Sequence, residues 1–337
     1  MSTEDASVPR TIKVLHSVAA PTATTKFINQ LADGAPPLLE LKYFSWSTAF
    51  KGNYDVFHVH WPEYLMRGSS FLGRLRQRIR FLRLLSHLKS KRIPLVRTLH
   101  NLEPHERGSW VERRLLALCD SRTDLFVLLN PATVSPMNKP SVVILHGHYR
   151  HRFAQYPHEK PNDQLLLNFG LIRPYKGIED LLELFRGWTN HDVNLRIVGK
   201  PIDPSLAQQI SGAVDVDRRI TCELRFVDDA ELVREVTSAE IVILPYREMH
   251  NSGTLLVALS LNRPVIVPWS ESNDAISKEI GSGWIFQYEG TLTHQFIEGV
   301  LDSIRTRTGF ISPDLALRDW SHVGELHYRA YSSLLSR

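Results

Sequence analysis

The sequence predicts an α/β protein made of two doubly wound, Rossmann-like parallel-sheet domains. Three observations carry that expectation. Short, nearly uninterrupted apolar runs recur along the whole chain, as in parallel strands covered on both faces. Helical patterns separate them, giving the β-α-β-α order of doubly wound sheets. A chain of 337 residues is long for one core but comfortable for two domains of about 150 residues each.

In chain order, strands are expected at Ile12–Ser17, Val56–His60, Pro94–Leu99, Leu125–Leu128 and Val142–Leu145. The segment Tyr149–Asn162 is polar, holds two prolines and has no sheet pattern, so it reads as a linker. A second series follows at Leu165–Phe169, Asn194–Val198, Leu224–Val227, Ile241–Leu244, Pro264–Val267 and Trp284–Phe286. Helices are expected at Ile178–Trp188, Ala230–Thr237 and Thr254–Ser260. The stretch Asp314–Arg337 is also helical, with Trp320, Val323, Leu326, Tyr328, Tyr331 and Leu334 as its buried residues. The expected domains are 1–155 and 163–313, with residues 314–337 packing back toward the first. Two such domains leave a cleft at the carboxyl ends of their strands, where ligands of these sheets bind.

Composition narrows the class. A hydrophobic share of 43% with 23% charged residues is ordinary for a globular protein. Cys119 and Cys222 stand far apart without a CxxC spacing, which argues against a disulfide scaffold and fits a reducing cytoplasm. The polar, acidic start MSTEDASVPR is unlike a signal peptide. No apolar run approaches the roughly 20 residues of a membrane span. A cytoplasmic protein is expected.

The charge is unevenly spread. Residues 67–92 hold nine Lys and Arg and no acid. Leu72, Leu75, Ile79, Leu82 and Leu85 recur there at helical spacing, beside a stripe of Arg76, Arg80 and Arg83, with Arg74 and Arg78 nearby. One reading is a helix packed on a sheet with an arginine-rich outer face. The other is a surface for anionic lipid headgroups, at the inner face of the plasma membrane. Nucleic acid is disfavoured, since no nucleic-acid-binding motif or aromatic platform accompanies the charge.

Two loops in the second half carry chemistry. In FGLIRPYKGIEDLLELF (169–185), Gly170 permits a tight turn, and Arg173 and Lys176 precede a helix that starts near Gly177. Cations beside free amides at a helix start suit a diphosphate, although both could be plain solvated cations. In PYREMHNSGTLLVALSLNRPVIVP (245–268), Glu248, His250, Asn251, Ser252, Gly253 and Thr254 fill the loop before an apolar helix. Small residues at 252–254 let backbone approach an anion, while Asn251 or Ser252 could equally be an N-cap.

Together and in this order, these loops resemble the nucleotide-sugar domain of group-1 glycosyltransferases of the GT-B fold, over roughly residues 165–290. LRIVGK (195–200), RFVDDAELVREV (225–236) and NRPVI (262–266) match further parts of that pattern. The resemblance implies that Arg173 and Lys176 hold the diphosphate and that Gly199 and Lys200 flank the nucleotide. It places Val227 and Asp228 near the base, Glu248 near the ribose or sugar, and Asn251, Ser252, Gly253 and Thr254 against the phosphates. Retaining members carry two glutamates eight positions apart in the second loop and helix. Here Glu248 is one residue off, position 249 is Met, and the second place holds Val257. An inverting reaction is therefore expected.

In the first half, FHVHWPEY (57–64), TLHNLEPHE (98–106) and ILHGHY (144–149) each end a strand. Such strings are similar to those of bacterial exopolysaccharide β-mannosyltransferases. That resemblance implies GDP-mannose as donor and a lipid-linked oligosaccharide as acceptor. Inversion needs a base within about 3 Å of the acceptor hydroxyl. Glu106, Glu103, Glu63 and His100 are the candidates, with Glu106 preferred; His146 and His148 are placed at the acceptor or membrane surface. The histidines show no HExxH-like spacing, so neither a metal nor another cofactor is expected. Sugar-hydroxyl ligands, proton acceptors and plain core residues all stay open for them. A UDP-sugar transferase, or a silent module that binds a nucleotide or glycan, is the alternative. A nicotinamide oxidoreductase is disfavoured because residues 16–27 contain no glycine.

Overall fold

The computed structural model describes residues 10–21, 26–100, 108–306 and 312–336. The chain divides into two compact units, residues 1–147 with 317–337, and residues 148–316.

Unit 1 runs β1 (Ile12–His16), α1 (Lys26–Asp33), β2 (Leu39–Tyr43), α2 (Trp46–Lys51), β3 (Val56–Val59), α3 (Phe71–Lys91), β4 (Leu95–Leu99), α4 (Trp110–Arg122), β5 (Leu125–Leu128) and β6 (Ser141–Val143). Every strand pairing is parallel, in the order β2-β1-β3-β4-β5-β6. Neighbouring residues face opposite sides of this sheet, as strand geometry requires. Leu15, Phe57 and Leu95 enter one core with Phe81, Leu84, Leu85 and Leu88 of α3. Val14, Val56 and Val96 enter the other, where Trp320, Val323 and Tyr331 of the last helix pack.

Unit 2 begins with α5 (Arg150–Phe153), β7 (Leu165–Phe169), α6 (Ile178–Arg186), β8 (Asn194–Val198), α7 (Pro204–Val216) and β9 (Ile220–Glu223). It continues with α8 (Asp229–Ser238), β10 (Ile241–Ile243), α9 (Gly253–Ser260), β11 (Val265–Pro268), α10 (Glu271–Ile280), β12 (Ile285–Tyr288) and α11 (His294–Arg305). The final helix, α12 (Trp320–Leu335), belongs to unit 1. The unit 2 order is β12-β11-β10-β7-β8-β9, again wholly parallel. Both faces are covered: Leu167, Val242 and Val265 on one side, Leu166, Ile241 and Ile266 on the other.

Strand order locates the ligand sites. In each sheet the chain builds outward from its first strand, then crosses over and builds the other way. The crossover lies between β1 and β3 in unit 1 and between β7 and β10 in unit 2. Ligands of doubly wound sheets bind outside the carboxyl ends of the strands at that crossover.

Two expectations change. Tyr149–Asn162 is more than a linker, because its Tyr149 and Phe153 are buried in the unit 2 core. On α3, Leu72, Leu75, Ile79 and Leu82 do not form the packed face. They are exposed, Leu72 at 74%, while Phe81, Leu84, Leu85 and Leu88 face inward. The helix therefore has two apolar faces, and only one is covered within unit 1.

Candidate active site

At the unit 2 crossover, β7 ends in Phe169 and turns at Gly170, whose φ of 101° suits glycine alone. Gly199 ends β8 so close to the Gly170 carbonyl that no side chain fits between them. A short turn, Pro174–Lys176, then leads to α6, whose N-cap, Gly177, offers no side-chain cap. The turn drives Lys176 inward, leaving it 7% exposed. Its ammonium lies over the Tyr246 ring, 4.8 Å from the centroid. Among the described residues no carboxylate pairs with it. Burial lowers its pKa to about 8, with the Arg173 charge also lowering it and Tyr175 opposing.

The loop after β10 meets the same point. A Cβ placed on Gly170 would stand 3.2 Å from Lys176 Nζ and 3.3 Å from Thr254 Oγ1. Ser252 caps α9 by accepting from the Leu255 amide at 3.2 Å. Gly253 and Thr254 are first-turn residues whose amides have no partner within the helix. A buried ammonium, a hydroxyl and two helix-start amides thus gather beside Gly170. Such a set stabilises the negative charge of a phosphate.

The other donor-loop residues are spread around this centre. Arg173 is half-buried, and Lys200 is exposed at the end of β8. Val227 packs into the core, and the Asp228 carboxylate caps α8 by accepting from the Glu231 amide at 2.8 Å. Glu248 is exposed, Asn251 is half-buried, and Val257 is packed inside α9. Position 257 therefore supplies apolar packing and no carboxylate. Tyr246, the floor under Lys176, escaped the sequence reading; its place directly after Pro245 at the end of a buried strand was the available signal.

At the unit 1 crossover the strand ends bring imidazoles together. His16 Nδ1 is 2.8 Å from His60 Nε2, and His60 Nδ1 is 3.1 Å from His100 Nε2. The ring centroids are 5.1 and 5.4 Å apart, so each pair meets edge to edge along an N–H···N line. His58 stacks on His60 at 4.5 Å and hydrogen-bonds with the hydroxyls of Tyr331, 2.6 Å, and Thr98, 2.7 Å. Phe27 and Trp61 close over the array, Trp61 stacking on His100 at 4.0 Å. Burial is the largest cause lowering the pKa of His16 to about 3 and those of His58, His60 and His100 well below the usual imidazole value.

No family model matches the chain. Two curated proteins of Xanthomonas campestris pathovar campestris, each named GDP-mannose:glycolipid 4-β-D-mannosyltransferase, are 45% identical over 337 residues, spanning 99% of this chain and 96% of the relative. This chain belongs to the GDP-mannose:glycolipid 4-β-D-mannosyltransferase family.

A member of this mannosyltransferase family is a glycosyltransferase, and the solved structures agree on its GT-B α/β fold. Anabaena HepE, solved with UDP and glucose, matches with a TM-score of 0.61 at 14% identity, covering 96% of this chain and 97% of that one. The catalytic domain of starch synthase IV from Arabidopsis thaliana matches with a TM-score of 0.63 at 10% identity, covering 97% and 100%.

The mannosyltransferase-family chain places its remaining candidates as follows. Glu103 and Glu106 lie outside the described residues. Glu63 is buried on a short turn, Pro62–Leu65, where burial raises its carboxyl against the opposing pull of its own backbone, Arg97 and Arg67. His146 is half-buried, its Nδ1 bonded to the Gly147 carbonyl at 2.8 Å, whereas His148 lies in unit 2 and accepts from the Arg150 amide at 3.2 Å. Close nitrogens of His16, His58 and His60 lie within 4.8 Å of one another, a grouping that the spacing of these histidines in the sequence did not show. Both ring nitrogens of His58 and of His60 are hydrogen-bonded, so an ion there would have to displace that network. No helix among the described residues is long and apolar enough to cross a membrane.

Proposed function

We propose that this protein transfers mannose from GDP-mannose to a lipid-linked oligosaccharide with inversion, in exopolysaccharide or cell-surface glycan synthesis. Unit 2 takes the donor diphosphate and unit 1 takes the acceptor. The observation that carries the donor half is Lys176: a buried ammonium without a carboxylate is costly unless an anion completes it. As the diphosphate departs, Lys176, Thr254 and the first amides of α9 stabilise the developing charge, with Arg173 adding a second cation. These groups support departure without a metal. The names of the relatives support the sugar and the acceptor class. GDP-mannose is an α-glycoside, so a β-linked product requires inversion, in keeping with Val257 where retaining members carry glutamate.

The acceptor class gives the outer face of α3 a use. Phe71, Leu72, Leu75, Ile79 and Leu82 are exposed beside Arg74, Arg76 and Arg83. Exposed Trp110 and Val111 at the start of α4 continue this surface, tied to α3 by the Arg78–Ser109 hydrogen bond of 2.9 Å. Apolar and aromatic side chains edged with arginine suit an anionic membrane interface. Peripheral attachment at the cytoplasmic leaflet follows.

Incubation with GDP-mannose and a polyprenyl-diphosphate oligosaccharide tests this reading. A β-mannosyl glycolipid, with thermal stabilisation by GDP exceeding that by UDP, is the expected result. Transfer from a UDP-sugar instead, or GDP binding without turnover, would contradict it. Sedimentation with anionic but not neutral vesicles checks the surface.

A further inference from the structure

The imidazole array has one unfinished end. His16 is 1% exposed and its Nε2 is buried with no hydrogen-bond partner among the described residues, although its Nδ1 is bonded to His60. A buried polar atom left unpaired is costly, so such sites are normally completed by a ligand or water. This orphan stands at the carboxyl end of β1, beside the β1/β3 crossover where ligands of a doubly wound sheet bind.

The array can hold its protons in two ways. In one, His16 donates through Nδ1 to His60, and His60 donates through Nδ1 to His100, leaving a bare lone pair at His16 Nε2. In the other, both hydrogen bonds reverse and Nε2 of His16 carries the proton. A proton entering at His16 and one leaving from His100 interconvert them. His58 cannot join, since both its nitrogens are engaged by Tyr331 and Thr98.

We propose that His16 Nε2 receives the proton of the acceptor hydroxyl and that His60 and His100 relay it, His16 being the catalytic base and the other two positioning residues. This rests on the transferase reading above. As the acceptor oxygen forms its bond to the sugar carbon, the bond from that carbon to the diphosphate oxygen breaks. The hydroxyl proton goes to His16 Nε2, the proton on His16 Nδ1 passes to His60 Nε2, and that on His60 Nδ1 passes to His100 Nε2. His100, the half-buried member, releases a proton from Nδ1 to water. No ring retains a charge. That matters because burial strongly disfavours imidazolium throughout the array, and a solitary His16 would be a weak base at neutral pH. Among the described residues, the other titratable groups facing the array are His58, His146, His327, Tyr331 and Arg97, none of them a carboxylate.

The test compares wild type with His16→Gln, His60→Gln and His16→Gly, using GDP-mannose and the glycolipid acceptor, alongside GDP affinity and Tm. The expected result is a fall in kcat of about 10²–10⁴-fold for His16→Gln. The KM for donor and GDP affinity should hold, and added imidazole should restore turnover to His16→Gly. His60→Gln should lower kcat and shift the pH–rate profile. A His16→Gln enzyme within threefold of wild-type kcat overturns the proposal, as does one stoichiometric zinc ion bound by these histidines. If the variants do not fold, ¹⁵N spectra of histidine-labelled wild type decide: acceptor binding should move His16 Nε2, and an unmoved signal overturns the assignment. A wild type inactive with every donor would sink the transferase reading instead.

Discussion

Lys176 shows how one residue turns loop geometry into chemistry. Its pKa is lowered to about 8, so free protein loses the ammonium as pH rises through that value. GDP affinity should therefore fall between pH 7 and 9, and calorimetry on Lys176→Met should show a flat profile. Gly170 matters for both its φ and the space above it. Gly170→Ala should lower stability by about 1–3 kcal/mol, measured by urea unfolding, and weaken GDP binding because its methyl would crowd Lys176 and Thr254. That the two unit 2 loops belong together was legible from the resemblance, which rests on a glycine, two cations and a small-residue turn in that order. His16 was not singled out, although VLH, FHVH and TLH share the pattern of histidine at a strand end. The orphaned nitrogen that distinguishes it exists only once three strands lie side by side.

Among the elements, α3 separates packing from exposure. Ser substitutions at Leu72, Leu75 and Ile79 should each leave stability within about 0.5 kcal/mol of wild type, whereas Leu84→Ala should cost about 2–5 kcal/mol by chemical denaturation. Periodicity revealed the helix but not which apolar stripe the sheet would cover, since both repeat at the same spacing. Strands divide in a similar way. Interior strands such as β5 and β7, with LFVL and LLLNF, are mostly apolar, and their bounds are legible in the sequence. Edge strands need cover and pairing on one side only. Accordingly β2, with LELKY, was missed, and β9 was placed at Leu224–Val227 when the strand is Ile220–Glu223. The edge strands β6 and β12 were shifted similarly.

At the scale of the whole molecule, unit 1 carries an unusual load of buried neutral histidine. His16 is held at about 3, His146 and His327 at about 4, and His58, His60 and His100 well below the usual value. In unit 2, burial lowers His250. The unfolded chain takes up these protons near pH 6.5 while the folded unit does not, so stability rises with pH between the folded values and 6.5. Acidification from pH 7 to 5 should thus destabilise unit 1 more than unit 2. Thermal unfolding with unit-specific tryptophan signals, Trp61 against Trp284, would report it.

The central claim is that an anion completes the charge of Lys176, and calorimetric titration of GDP into wild type and Lys176→Met at pH 7 tests it most directly. Removing a charge-assisted phosphate contact should weaken GDP by about 1.5–3 kcal/mol, a loss of roughly 10- to 150-fold, with Tm held or raised. Equal GDP affinity in the two proteins would contradict the account.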